Sequence, residues 1–396
     1  MASSITTANE TKQSNSAWFG ALQSHLAELR KEPFKGVTTD GTVLPGRYQF
    51  SDGEVEIEEI VSAAQEFIRE LSPAERQLVS CHIDAPEWRD WSTSEDLPTE
   101  GGIDLSSLSQ QTRESVLKVI ELTLSEEGYQ NVVTVMRLNG ALGHPTDTPA
   151  VSKVRFYNFL LFGEPSTTRP WGFAVHGYQL SLNVLLYRTS IVISPWYVSS
   201  EPNSSNERTN LFEVEEQLGL QLAQSLTSEQ KRQAQTGSRT QDSSTPSGPW
   251  NPLEKGLLCG ANRDNRIVPY EGLLVISLPS KQRSLVFDII CQYTSGLPMR
   301  ARQNHLGRVM PFLSQTYFCF SGGQSDAEPF YYRIQGPFIL VEFDRYQGGS
   351  SGSQEASKAQ IQALWRSPNG GDYGIAYKPT VEGLGQYSKW DPGHRS

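Results

Sequence analysis

From Phe173 to Val184 the side chains alternate with a period of two, and this constrains the fold more than any other stretch of the chain. A half-buried strand is predicted. Ala174, His176, Tyr178, Leu180, Leu182 and Val184 fall on one face, and Phe173, Val175, Gly177, Gln179, Ser181 and Asn183 on the other. The second face starts apolar and ends in neutral hydrogen-bonding groups. A strand facing bulk water carries charges, and a strand facing a plain core carries no amides. A face that is apolar and then neutral and polar reads as the wall of a small-molecule pocket. The alternative is a core strand whose end frays into solvent.

Two strand-like stretches flank this one. VRFYNFLLFG (Val154–Gly163) precedes it and SIVISPWYV follows it, and the three together read as an antiparallel meander. A second group lies near the end: TYFCFSGG, FYYRIQGPFILVEFD and QIQALWRSP. Helical periodicity precedes each group. Ile57, Ile60, Val61, Ala64, Phe67, Ile68 and Leu71 keep the 3.6-residue spacing. Further helices are predicted over 17–31, near 110–127, over 211–226 and near 280–295. Ser72-Pro73-Ala74-Glu75 is a helix start of the capping-box type. Variants of it recur at LSQQTR (Leu108–Arg113), LTSEQKR (Leu226–Arg232) and LPSKQR (Leu278–Arg283). Their irregular spacing does not read as a solenoid, so they mark helix beginnings.

Helices early and in the middle, with strands in two clusters, predict an α+β fold. The sheet is expected to be antiparallel or mixed, of about six strands, covered by helices from the N-terminal and middle thirds. Residues 1–16 read as a disordered tail, 17–378 as one domain with mobile loops near 233–252 and 346–358, and 379–396 as a C-terminal tail.

A net charge of −10 argues against nucleic acid as a partner, as does the lack of any local run of five or more basic residues. No apolar run is long enough to span a membrane. The N-terminus, MASSITTANETKQSNS, lacks the basic and apolar regions of a secretory signal, so a cytoplasmic location is expected. The four cysteines, Cys81, Cys259, Cys291 and Cys319, form no CxxC pair and read as buried thiols. No two of the six histidines have metal-ligand spacing.

Several motifs together resemble the family known as domain of unknown function 3500. They are EWRDW (Glu87–Trp91), VMRLNGALG (Val135–Gly143), FGEPSTTRPWGF (Phe162–Phe173), LSLN, SSEPN (Ser199–Asn203), DNRIVPYEG (Asp264–Gly272), FYYRIQGPFILVEFD and RSPNGGDYG (Arg366–Gly374). In order they span roughly residues 37–374. The chain also departs from the family pattern. Where relatives resemble G-H-H-L, it reads Gly177-Tyr178-Gln179-Leu180. Where they resemble H-I-H, it reads Gln360-Ile361-Gln362. The resemblance therefore implies a divergent, fungal member that keeps a cavity but has amides and a phenol in place of imidazoles. A primary amide is a poor metal ligand, so neither a metal nor a cofactor is expected.

The chemistry left is that of a pocket lined by aromatics and neutral amides. Gln179, Glu342, Arg333 and Gln335 are the candidate catalytic residues. Trp171, Phe173, Asn183, Tyr331, Gln360, Gln362, Trp365 and Glu201 are the candidate substrate-binding residues. Glu342 reads as a buried acid for proton transfer or as one half of an ion pair. Arg333 reads as part of a polar wall or as the partner of Glu342 or Asp344. His176, placed opposite Gln179, reads as a core or surface histidine. CHIDAPEWRDW (Cys81–Trp91) reads as a charged rim, or as a turn anchored by its tryptophans with Arg89 paired to a carboxylate. Asp372 is a lesser acid candidate. Holding an apolar reactant in one conformation, with amide or phenol donors at a carbonyl, suffices for cyclisation or isomerisation. The expected function is thus a cofactor-independent cyclase or isomerase of specialised metabolism acting on an apolar terpenoid or polyketide. The alternatives are a metal-dependent oxidoreductase or hydrolase, and a non-catalytic binding protein. The expected partner is a small apolar molecule, and the oligomeric state is left open.

Overall fold

The computed structural model describes Ser24, Leu26 and residues 28–92, 101–139, 157–200, 211–235, 257–325, 328–347 and 359–380. The helix predicted over 17–31 falls within them only at its C-terminal end. Helix α1 (Ile57–Glu70) buries Ile57, Ile60, Val61, Ala64 and Phe67. Helix α2 (Pro73–Val79) starts at a complete capping box, in which Ser72 Oγ accepts from the Glu75 N–H and the Glu75 carboxylate from the Ser72 N–H. After the short strands β1 (Ser80–Cys81) and β2 (Ile103–Asp104) come α3 (Gln110–Thr123) and α4 (Glu126–Leu138), N-capped by Ser109 and Ser125. Strands β3 (Tyr157–Phe162), β4 (Trp171–Gly177), β5 (Leu180–Tyr187) and β6 (Ser190–Ser200) then form an antiparallel meander.

The second half repeats this order. It runs through α5 (Glu213–Ser225), α6 (Ser228–Ala234), β7 (Leu273–Leu274), α7 (Ser280–Tyr293), α8 (Met299–Val309), β8 (Tyr317–Gly322), β9 (Phe330–Gln335), β10 (Leu340–Gln347) and β11 (Ala359–Arg366). Local details repeat as well. Thr227 and Gln230 form a second capping box at the start of α6. A 3₁₀ turn links β2 to α3 and another links β7 to α7. Arg113 donates back to Leu105 O and Leu108 O, and Arg283 to Ile276 O and Leu278 O. The recurring helix-start signals in the sequence are the trace of this repetition.

All strands join one mixed sheet of eleven, in the order β1-β3-β4-β5-β6-β11-β10-β9-β8-β7 with β2 beside β3. The register shows how the halves meet. In the first, Ile103 pairs with Phe159, Phe159 with Val175, Val175 with Leu182 and Leu182 with Trp196. In the second, Leu273 pairs with Phe318, Phe318 with Ile334, Ile334 with Val341 and Val341 with Trp365. Trp196 and Trp365 then pair with each other across the antiparallel β6–β11 seam. A pseudo-two-fold axis therefore passes between two equivalent tryptophans.

The expected α+β class with a mixed sheet is what the structure has; the expected count of about six strands is not. Two stretches read as single strands, Phe173–Val184 and Phe330–Asp344, each cross a hairpin turn, between β4 and β5 and between β9 and β10. Gly177 pairs with Leu180 across Tyr178-Gln179, and Gln335 with Leu340 at the end of the β9–β10 ladder. Strand-like residues resume directly after each turn, and Tyr178-Gln179 carries none of the usual turn residues, so alternation alone does not reveal the first; Gly336-Pro337 marks the second. Three short strands, β1, β2 and β7, make up the rest of the difference.

One face of the sheet is apolar and lies under helices. Phe67 of α1 packs edge-on against Phe159, and Gly219 of α5 lies so close to the Tyr332 ring that a Cβ there would meet it at 2.4 Å. The other face is rich in polar side chains. The chain near Leu257–Gly260 crosses it, with Leu258 and Cys259 N–H donating to Glu342, and Cys259 O and Gly260 O accepting from Arg366.

Candidate functional site

The β4–β5 turn changes which residues share a face. Counting by twos through it separates His176 from Asn183, but the register pairs His176 with Ser181 and Ala174 with Asn183, so both lie on the polar face. Asn183 Nδ2 donates to Pro195 O at 3.0 Å, which fixes the orientation of the amide. Its Oδ1 therefore accepts from His176 Nε2–H at 2.9 Å. His176 Nδ1 is buried without a partner. Burial holds the imidazole neutral and lowers its pKa to about 4, against a small opposing effect of Asn183.

Register alone places most of the candidate residues together on this face. Gln362 lies beside Ser199 and Asp344, Gln360 beside Tyr346, Glu342 beside Arg333, and Tyr331 beside Asp344. The amides of β11 bracket one phenol: the Tyr346 O–H donates to Gln360 Oε1 at 2.5 Å and accepts from Gln362 Nε2 at 3.0 Å. Gln362 Oε1 is buried and has no partner. Tyr197, Ser199 and Tyr346 belong to the same cluster and were not among the expected residues. Tyr197 bonds to Ser199, and burial pushes its phenol pKa well up, with Tyr346 and Asp344 adding to the shift. The i, i+2 spacing of Tyr346 and Asp344 on β10 is a signal that could have identified Tyr346.

Other candidates have structural partners. Glu342 is fully buried and accepts from Leu258 N, Cys259 N and the Tyr331 O–H at 2.7–2.8 Å. It anchors the crossing segment and forms no ion pair with Arg333. Arg333 pairs instead with Glu271 at 2.8 Å, and its Nε and Nη1 have no partner. Gln335 Nε2 donates to Val268 O at 2.6 Å. Gln179 sits in the turn at φ 62° rather than in a strand; its backbone O accepts from Ser199 N at 2.9 Å and its Oε1 from Asn139 at 3.2 Å. Trp171, Phe173 and Trp365 do not join the polar face. Phe173 pairs with Val184 and stacks on Phe159, Trp171 pairs with Leu186, and Trp365 points to the helix side. Glu201 lies outside the described residues.

Three of the motif stretches meet in a buried ion network. Arg89 Nε donates to Asp264 Oδ2, and Arg366 Nη1 to Asp264 Oδ1 and Asp372 Oδ2, each at 2.8 Å. The Tyr373 O–H donates to Asp264 and the Trp91 N–H to Tyr373. Burial alone would raise the Asp264 pKa, but Arg366 and Arg89 outweigh it and hold the carboxylate below its usual range. Asp372 also accepts from Ser194 Oγ and Ser367 N–H. Trp88 stacks on Phe162 at 3.7 Å. The EWRDW turn is therefore anchored by its tryptophans, with Arg89 paired to a carboxylate, and Asp372 serves as a bracing group.

Among the described residues no group of three or more His, Cys, Asp or Glu is placed to hold a metal ion. All four cysteines are free thiols, two of them fully buried. A family model described as protein of unknown function, DUF3500, matches residues 53–375. The chain belongs to that family. No curated protein and no solved structure matches it. No described helix is long and apolar enough to cross a membrane.

Proposed function

We propose that this DUF3500 protein is an enzyme that cyclises or isomerises a small, largely apolar molecule on the polar face of its sheet, without a cofactor. The observation that carries this reading is the Gln360–Tyr346–Gln362 array with its unmet acceptor, Gln362 Oε1. A buried acceptor without a partner costs free energy unless a ligand or water supplies a donor. A substrate hydroxyl would meet that need and fix one end of the molecule. Tyr197, Ser199 and Tyr346 then lie within the same polar patch for a developing oxyanion. Orientation would supply most of the rate enhancement, since a fixed near-attack geometry can be worth as much as roughly 7–11 kcal/mol. The substrate class we favour is a terpenoid or polyketide intermediate of fungal specialised metabolism.

The test compares metabolites of the producing organism with and without the gene, then supplies the accumulated compound to purified protein in EDTA. The expected product has the mass of the substrate, and Gln362→Leu or Tyr346→Phe lowers the rate at least about tenfold with the fold retained. A product changed by oxygen, hydrogen or water, or activity lost in EDTA and restored by one metal, would instead indicate a metal-dependent oxidoreductase or hydrolase. Binding without turnover would indicate a carrier.

A further inference from the structure

On the helix side of the sheet, Trp196 and Trp365 help line a cavity of about 60 Å³, next to the pseudo-two-fold axis. One water needs roughly 10–15 Å³ on this measure, so the space holds more than a single solvent molecule. Phe212 and Tyr293 add two more aromatic walls, and Glu215 and Gln292 add polar ones. No lysine, arginine or histidine is among the described lining residues.

Glu215 stands out in this setting. Gln292 Nε2 approaches its Oε1 at 3.4 Å, while Oε2 is buried with no partner. Among the described residues, the charged and titratable groups around it supply no free cation. Glu127 on α4 accepts from the same Gln292 amide and from Ser295 Oγ. Tyr332 donates its O–H to the Glu215 backbone carbonyl, and Tyr293 lies beside Tyr332. The neighbouring Glu216 already pairs with Arg345 at 2.8 Å. Burial, with the Glu127 charge adding to it, raises the Glu215 pKa to about 7. The site thus has an uncompensated buried carboxyl, a negative surrounding and aromatic walls.

We propose that this cavity binds a small organic cation, an ammonium or quaternary ammonium group, with Glu215 as counter-charge and Trp196, Trp365, Phe212 and Tyr293 as an aromatic cage. Aromatic rings attract such cations through their quadrupoles, and the attraction grows where water is excluded. The site lies on the opposite face from Gln360 and Gln362 and does not depend on the reaction proposed for that face.

Choline titrated into the full-length protein, followed by tryptophan fluorescence and calorimetry, tests this. Choline is expected to bind at least about tenfold more tightly than its uncharged carbon isostere, 3,3-dimethylbutan-1-ol. Binding is expected to weaken by a similar factor in Glu215→Gln. It is also expected to weaken as pH falls below about 7, where the carboxyl takes up a proton. Gln362→Leu leaves it unchanged. No choline binding, equal affinity for the isostere, or full affinity in a folded Glu215→Gln variant would each overturn the proposal. If Glu215→Gln does not fold, the isostere and the pH dependence decide the matter.

Discussion

At the residue scale, the buried polar side chains of this fold include two kinds. Asp264, Asp372 and Glu342 have all their bonds made within the chain, and such groups brace the fold. Gln362, Glu215 and His176 each keep one buried atom without a partner, and such atoms are where a ligand has something to contribute. His176 also carries a pH signature. Its pKa is depressed in the folded state, from 6.5 to about 4, so the unfolded chain binds the proton more readily between those values. Stability from this group is therefore full above pH 6.5 and is lost as pH falls toward about 4, by about 3 kcal/mol in all. In His176→Gln, denaturant unfolding at neutral and acid pH is expected to show a smaller loss over that window. An equal loss would assign the acid sensitivity to other groups, among them His305, whose pKa burial lowers to about 3.

At the element scale, what matters is how closely backbones approach at the axis. The first turn of α4 meets the loop after α7: Ser125 N donates to Gly296 O at 3.0 Å and Ser125 Oγ to Ser295 O at 2.7 Å. A Cβ on Gly128 would lie 2.6 Å from Gly296 O, a backbone atom that cannot swing away. Gly128→Ala is therefore expected to destabilise the protein by about 1–3 kcal/mol, even though alanine favours helix by about 1 kcal/mol over glycine. Thermal unfolding checks it, and a rise in Tm would mean that the helix-loop contact is loose. Element type was well marked in the sequence. The apolar stripe of α1, the capping boxes at Ser72 and Thr227 and the two strand clusters are all local patterns, and local patterns survive in one dimension. The first hairpin turn was not legible, because Tyr178-Gln179 carries none of the usual turn residues, whereas Gly336-Pro337 at the second is a turn signal that the strand-like residues on either side of it masked.

At the scale of the whole molecule, two halves of like topology join edge to edge through β6 and β11. Each half alone would expose that long central edge, with its unpaired N–H and C=O groups. A chain made as two pieces, divided between Ser200 and Leu211, is expected to co-purify as one complex when the pieces are co-expressed. Either piece made by itself is expected to aggregate. A soluble, monomeric first piece would show that the seam is not needed for folding. The repetition was half visible in the sequence as recurring helix starts, but irregular spacing concealed it, since insertions of different length separate equivalent elements.

The sequence by itself determined the class of fold, the family, and the i, i+2 spacing of Gln360 and Gln362 that puts both amides on one face of a strand. These follow from periodicity and side-chain chemistry, which neighbours in the chain already fix. The tertiary structure decided the rest. A turn at Gln179 reversed the facing of His176, pairing across β10 and β11 gathered Gln360 and Gln362 around Tyr346, and the fold placed Glu215 in one cavity with two tryptophans that lie 169 positions apart in the chain. Partners so distant are chosen by strand register and packing, and neither is written in any short stretch of residues.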